Sequence, residues 1–76
     1  MKELEKEGWN YTLFLSEDKQ LIFSVVCGSV GMYDFVVALN REEQAAYGSR
    51  GKAFLGELAR TIRENESSYL TRRISL

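Results

Sequence analysis

Residues 9–40 read WNYTLFLSEDKQLIFSVVCGSVGMYDFVVALN, and this stretch predicts the sheet around which the chain is organised. Apolar residues occupy the odd-numbered positions of three segments, and alternation with a period of two is typical of strands with one buried face. These odd-numbered residues are Trp9, Tyr11, Leu13 and Leu15, then Leu21, Phe23, Val25 and Cys27, then Tyr33, Phe35, Val37 and Leu39. We therefore predict three strands that share one apolar face.

The first loop sets the register of the first two strands. If residues 17–19 form a three-residue loop, the apolar residues of both strands oppose one another, and Trp9 opposes Cys27. A two-residue loop at Asp18 and Lys19 would instead mix the two faces. The three-residue loop is therefore favoured, although it needs Lys19 at a left-handed position to which lysine is poorly suited.

The second loop gives the same topology. Residues 29–31 place Gly31 third, which is the left-handed position of the commonest three-residue hairpin loop. Cys27 then opposes Tyr33, and the apolar faces of the second and third strands match. The two loops together predict an antiparallel meander.

The pattern changes to that of a helix after Asn40. Asn40 and Glu43 have the spacing of a capping box. Residues at spacings of three and four then form a helical face that can cover the sheet: Tyr47, Gly51, Phe54, Leu55, Leu58 and Ile62. Gly48 and Gly51 disfavour one straight helix, so we expect a kink near Gly48 or two helices, at 41–47 and 50–65.

The expected fold is one α+β domain. It consists of an N-terminal arm at 1–8, the three-stranded meander at 9–40, a helix or two helices at 41–65, and a short ordered tail at 66–76. The arm is expected to be a short helical turn or frayed, and the helix to pack on the Trp9 side of the sheet. The tail is expected to form a helical turn or an extended segment along an exposed edge strand.

Composition restricts the class of protein. The chain has 76 residues, of which 45% are hydrophobic, and a net charge of −1. Residues 1–40 hold three lysines and six acids, and residues 41–76 hold seven basic and five acidic residues. This asymmetry is too small to indicate nucleic acid or a membrane surface. With a single cysteine and no long apolar run, we expect a cytoplasmic protein of bacterial type.

No motif predicts catalysis. Cys27 is the one nucleophile that stands out, but the chain has no histidine to activate it, and its position predicts a small core residue. The neighbouring acids Glu42 and Glu43 fit a helix first turn. We therefore expect no enzyme activity, no catalytic residue, no cofactor, no metal site and no small-molecule substrate.

Four arginines make the best case for an anionic partner. Arg60 and Arg63 lie one helical turn apart, and Arg72 and Arg73 follow in the tail. Glutamates are interleaved among them, which is typical of a mixed solvated face. Nucleic-acid binding through these arginines is the least favoured alternative.

The even-numbered face of the sheet is the main candidate binding surface. A three-stranded sheet covered on one side leaves this face to solvent, and apolar patches of this kind usually mark interfaces. The residues expected to form the interface are Phe14, Ile22, Val26, Met32, Asp34, Val36 and Ala38. The competing interpretation is that the tail or Leu4 folds over this face. The first and third predicted strands also offer free edges.

The sequence thus predicts a non-catalytic domain that binds a partner protein or forms a homodimer through the exposed sheet face or edge. The alternative from another class is an inhibitor of the immunity or antitoxin kind, which blocks a cognate enzyme.

Overall fold

The structure, a computed structural model, describes residues 2–28 and 31–74. Four strands precede three helices and a 3₁₀ turn in chain order. Their bounds are β1 Lys2–Glu7, β2 Tyr11–Leu15, β3 Leu21–Cys27, β4 Tyr33–Ala38, α1 Arg41–Arg50, α2 Lys52–Glu64, α3 Glu66–Tyr69 and the 3₁₀ turn Leu70–Arg72.

The sheet is an antiparallel meander in the order β1-β2-β3-β4. The predicted register is confirmed in both expected hairpins: Leu13 pairs with Phe23 between β2 and β3, and Phe23 pairs with Val37 between β3 and β4. The prediction of three strands is wrong, because the sheet has four.

The extra strand is β1, formed by the segment that we expected to be a helical turn or a frayed arm. Lys2–Glu7 pairs along β2, with a bulge between Glu3 and Glu5. Its only apolar residue is Leu4, which packs against the core. The strand therefore forms through backbone pairing to β2, and an apolar pattern could not have revealed it.

Trp9 does not lie in the core, which corrects the expectation that it faces Cys27. The chain turns through residues 8–10 between β1 and β2, and Trp9 adopts a left-handed conformation there with φ 63°. Its side chain is 83% exposed. Because β1 precedes β2, this position is needed for the turn and cannot extend the strand.

The loop between β2 and β3 is the predicted three-residue loop. Ser16 donates its backbone N–H to the Gln20 carbonyl at 2.9 Å, and Lys19 donates to the Ser16 carbonyl at 3.0 Å. Lys19 has φ 65°, so the lysine occupies the left-handed position despite its poor suitability. Ser29 and Val30 of the second predicted loop lie outside the described residues.

The core lies between the odd-numbered face of the sheet and α2. Leu13, Phe23 and Val37 are fully buried there, as are Leu55 and Ile62 of α2. The prediction that a helix covers this face is therefore confirmed. Tyr11 and Phe23 bring their ring centroids to 5.3 Å, a tilted aromatic contact.

The helical region begins at the predicted capping box. Asn40 Oδ1 accepts from the Glu43 backbone N–H at 2.8 Å, and Glu43 Oε1 accepts from the Asn40 N–H at 2.9 Å. The helix is split, and the break lies at Gly51 with φ 63°. A residue with positive φ that ends a helix is usually glycine, and Gly51 fills this position, whereas Gly48 lies within α1.

The tail runs from α2 to the outer edge of β4. Arg73 forms a bridge with Val37, and Ile74 donates its backbone N–H to the Val36 carbonyl at 2.8 Å. Both expected forms of the tail are therefore present, because a short helix and a 3₁₀ turn lead to the extended end. The first and third predicted strands, β2 and β4, were expected to have free edges. Both edges are occupied, because β2 pairs with β1 and β4 is bridged by the tail.

Candidate protein-binding surface

Six of the seven residues predicted to form an interface lie on the face of the sheet opposite α2, and Met32 directly precedes β4. Phe14, Ile22 and Ala38 lie in one cross-strand row, and Val26 pairs with Asp34. Their exposure differs, however, along this open face. Ile22 and Val36 are buried at 5% exposure each, Phe14, Val26 and Ala38 are half-buried, and Met32 and Asp34 are exposed.

Neither Leu4 nor the described part of the tail lies across this face as a lid. Leu4 packs on the opposite side, against the core, and the tail follows the β4 edge. The centre of the predicted patch is nevertheless closed to solvent at Ile22 and Val36. The two most exposed large apolar side chains of the described residues lie instead beside the β1–β2 turn, at the end of the sheet where β3 ends and β4 begins.

We call this region the turn-end surface and define it by Trp9, Val26 and Met32. Trp9 and Met32 are 83% and 63% exposed, which makes them the two most exposed large hydrophobic residues among those described. Val26 donates its backbone N–H to the Asn10 carbonyl at 2.9 Å, so it lies beside the turn that carries Trp9. Exposed tryptophan and methionine side chains are enriched at protein interfaces.

The turn holds the indole outward at a conformational cost. A bulky residue at φ 63° is an outlier, and such strain persists only where neighbouring contacts fix the chain. Those contacts come from Asn10, whose backbone N–H donates to the Glu7 carbonyl and whose Nδ2 donates to Glu7 Oε1, each at 3.0 Å. Hydrogen bonds within the turn therefore hold Trp9 in its exposed position.

A groove of about 380 Å³ lies beside Trp9 at this end of the sheet. It is lined by Lys6, Glu7, Gly8, Trp9, Tyr11, Thr12 and Val26. One lysine and one glutamate flank it, so it carries no net charge that would select an ionic ligand. Its mixed apolar and polar lining can accept an apolar side chain next to a hydrogen-bonding group.

The four arginines predicted for an anionic partner make contacts within the chain. Arg63 donates through Nε to the Val26 carbonyl and through Nη2 to the Asn10 carbonyl, both at 2.8 Å. Arg60 pairs with Glu64. Because Arg63 binds carbonyls of β3 and of the β1–β2 turn, it supports the turn-end surface from the helix side.

Arg72 and Arg73 anchor the tail. Arg72 donates to both Glu43 carboxylate oxygens and to the Ala38 carbonyl, and the hydrogen bonds to Glu43 raise the pKa of the guanidinium. Arg73 lies over the Phe35 ring with 5.2 Å from its Cζ to the centroid. These contacts assign both side chains to the packing of the tail.

The cysteine and the acidic side chains of the described residues form neither an activated thiol nor a metal-binding group. Cys27 is buried, and its burial, followed by nearby Glu66, raises the pKa of the thiol, which disfavours the reactive thiolate. In residues 2–28 and 31–74, no three His, Cys, Asp or Glu side chains form a group that could hold a metal ion. No helix in the same residues is long and apolar enough to span a membrane.

Sequence reasoning missed the exposed position of Trp9, although a signal for it was present. Gly8 and Asn10 flank Trp9, and turn residues between two short segments can indicate a hairpin. The charged composition of β1 concealed that hairpin, because strand assignment relied on apolar alternation. No family model, curated protein or solved structure matches the chain.

Proposed function

We propose that this chain is a non-catalytic protein-binding domain whose turn-end surface receives an apolar side chain of a partner protein. The observation that carries the proposal is the 83% exposure of Trp9. Its backbone adopts a left-handed conformation in a hydrogen-bonded turn beside a groove. Leaving an indole in solvent forgoes the free energy of its burial, and contact with a partner would recover it.

The chemistry of the partner follows from the lining of the groove. Lys6 and Glu7 offset each other at its rim, so a partner gains little from net charge. Val26 and the indole offer apolar contact, and Thr12 offers a hydroxyl. The occupant that fits is therefore a protein segment with an apolar or aromatic anchor, flanked by uncharged polar groups.

Selection from a random peptide library on the purified domain tests this proposal. We expect the enriched peptides to share an apolar anchor and to change the emission of Trp9, the single tryptophan of the chain. Trp9→Asn should weaken their binding by about tenfold or more, as expected for an interface hot spot. Asparagine tolerates a left-handed conformation, so this variant keeps the turn.

The matched control is Leu70→Ala, which removes another exposed apolar side chain, 56% exposed, from the tail. It should bind the selected peptides as the natural chain does. Selected peptides that bind Trp9→Asn and the natural chain equally well would contradict the proposal, and so would a library that yields no binder.

A further inference from the structure

β1 is the free edge of the sheet. The opposite edge, on β4, is bridged by Arg73 and bonded by Ile74. Among the described residues, and apart from its pairing with β2, β1 makes one backbone hydrogen bond, in which the Glu7 carbonyl accepts from Asn10. Its outward N–H and C=O groups are thus available to another strand.

Four charged side chains of β1 are exposed: Lys2, Glu3, Lys6 and Glu7. None of them forms an ion pair with another described residue of the chain. Charged side chains on an edge normally discourage pairing with other strands. Here the order of the charges is complementary to itself in one antiparallel register, which opposes all four exposed charges to unlike charges.

In that register, an antiparallel second copy of β1 places Lys2 opposite Glu7 and Glu3 opposite Lys6. Two-fold symmetry repeats both pairs, so four cross-strand ion pairs form. Shifting the register by one residue in either direction brings like charges together. One shift places Lys2 opposite Lys6, and the other places Glu3 opposite Glu7.

The bulge in β1 makes this register consistent with the faces of the sheet. Directly opposed residues in an antiparallel pair must point to the same face. Lys2 and Glu7 both lie on the face covered by α2, and Glu3 and Lys6 both lie on the open face, because the bulge between Glu3 and Glu5 changes the alternation. In a regular strand, residues 2 and 7 would point to opposite faces.

We infer that two copies of this chain associate by antiparallel pairing of their β1 strands, with Lys2 opposite Glu7 and Glu3 opposite Lys6. The dimer is one eight-stranded sheet with the helices of both copies on the same face. This association uses the edge of β1 and not Trp9, although Lys6 and Glu7 belong both to β1 and to the lining of the groove. Exposed ion pairs and a short strand make it a weak dimer that weakens further as salt is raised.

Charge reversal tests the pairing. Glu3→Lys places like charges opposite each other twice in each dimer, and we expect the dissociation constant from analytical ultracentrifugation to rise about tenfold. The double variant Glu3→Lys/Lys6→Glu restores opposite charges and should return to within about threefold of the natural chain. A natural chain that remains monomeric at its highest soluble concentration would overturn the inference, as would a double variant that does not recover.

Disulfide trapping tests the register. Under oxidation, Glu3→Cys/Lys6→Cys should give a covalent dimer, because the two positions are directly opposed and share a face. Lys2→Cys/Lys6→Cys should give little, since those positions oppose each other only in the shifted register. Equal yields from the two variants would contradict the register.

The two binding surfaces can be told apart with the same variants. Trp9→Asn should dimerise as the natural chain does, and Glu3→Lys should keep the affinity of the natural chain for the selected peptides. Loss of the dimer in Trp9→Asn would place self-association at the turn-end surface and overturn pairing through β1.

Discussion

At the scale of single residues, side-chain burial differs most clearly between the two faces of the β2–β3 pair. Leu13 and Phe23 oppose each other on the helix side and have no exposed surface, whereas Phe14 on the next position of β2 is half-buried on the open face. A shift of one residue in register would exchange these environments. Burial of this strand pair therefore depends on the loop at residues 17–19.

Matched phenylalanine substitutions measure this difference. Phe23→Ala should lower the free energy of unfolding by about 3–5 kcal/mol, because it leaves a cavity in a packed core. Phe14→Ala should cost clearly less, since part of its ring already contacts water. Urea unfolding followed by circular dichroism gives both values, and equal losses would show that the two faces are equally packed.

At the scale of elements, Glu43 joins three parts of the fold. It completes the capping box with Asn40 at the start of α1 and accepts hydrogen bonds from Arg72 of the 3₁₀ turn. Arg72 also donates to the Ala38 carbonyl at the end of β4. One carboxylate thus links the start of a helix, the tail and the last strand.

Removing this carboxylate tests the linkage. Glu43→Ala should destabilise the chain by about 1–3 kcal/mol, since it breaks the cap and leaves Arg72 without its acidic partner. Glu42→Ala, in the same helical turn and exposed, should change stability by at most about 0.5 kcal/mol. Chemical denaturation of both variants measures the difference, and similar losses would mean that Glu43 acts only through general helix propensity.

At the scale of the whole molecule, tyrosines of α1 and β2 lie close to the acidic side chains of β1. The Tyr47 hydroxyl donates to Glu5 Oε2 at 3.0 Å, which ties α1 to the edge strand. Burial, followed by this hydrogen bond and the charge of Glu5, raises the pKa of Tyr47 above its usual 10.0. Burial and the nearby Glu7 raise the pKa of Tyr11 in the same direction.

These pKa shifts predict a loss of stability at alkaline pH. A pKa raised in the folded state means that folding favours the protonated phenol, so the contribution is complete below pH 10.0 and is lost as pH rises through the folded-state value. Tyr47→Phe should show a shallower decline over that range. Urea midpoints measured against pH, with tyrosinate absorbance alongside, check this, and identical slopes would contradict it.

The sequence by itself determined the register of three strands, the face that meets the helix and the capping box at Asn40. Each depends on local information, because loop length and alternation fix which residues oppose each other. Tertiary structure decided the fourth strand and the exposure of Trp9. The charged segment Lys2–Glu7 becomes a strand only when β2 offers it backbone partners, and that pairing makes Trp9 part of a turn.

Long-range contacts likewise decided which candidate surface is accessible. Apolar alternation placed Ile22 and Val36 on the open face but could not report that both are closed to solvent there. Arg63 and Arg72 stand out in the sequence as surface charges, yet they bond to carbonyls that are distant in the chain. A pattern read along the chain identifies the face on which a side chain lies, whereas the groups that surround it depend on how the elements pack.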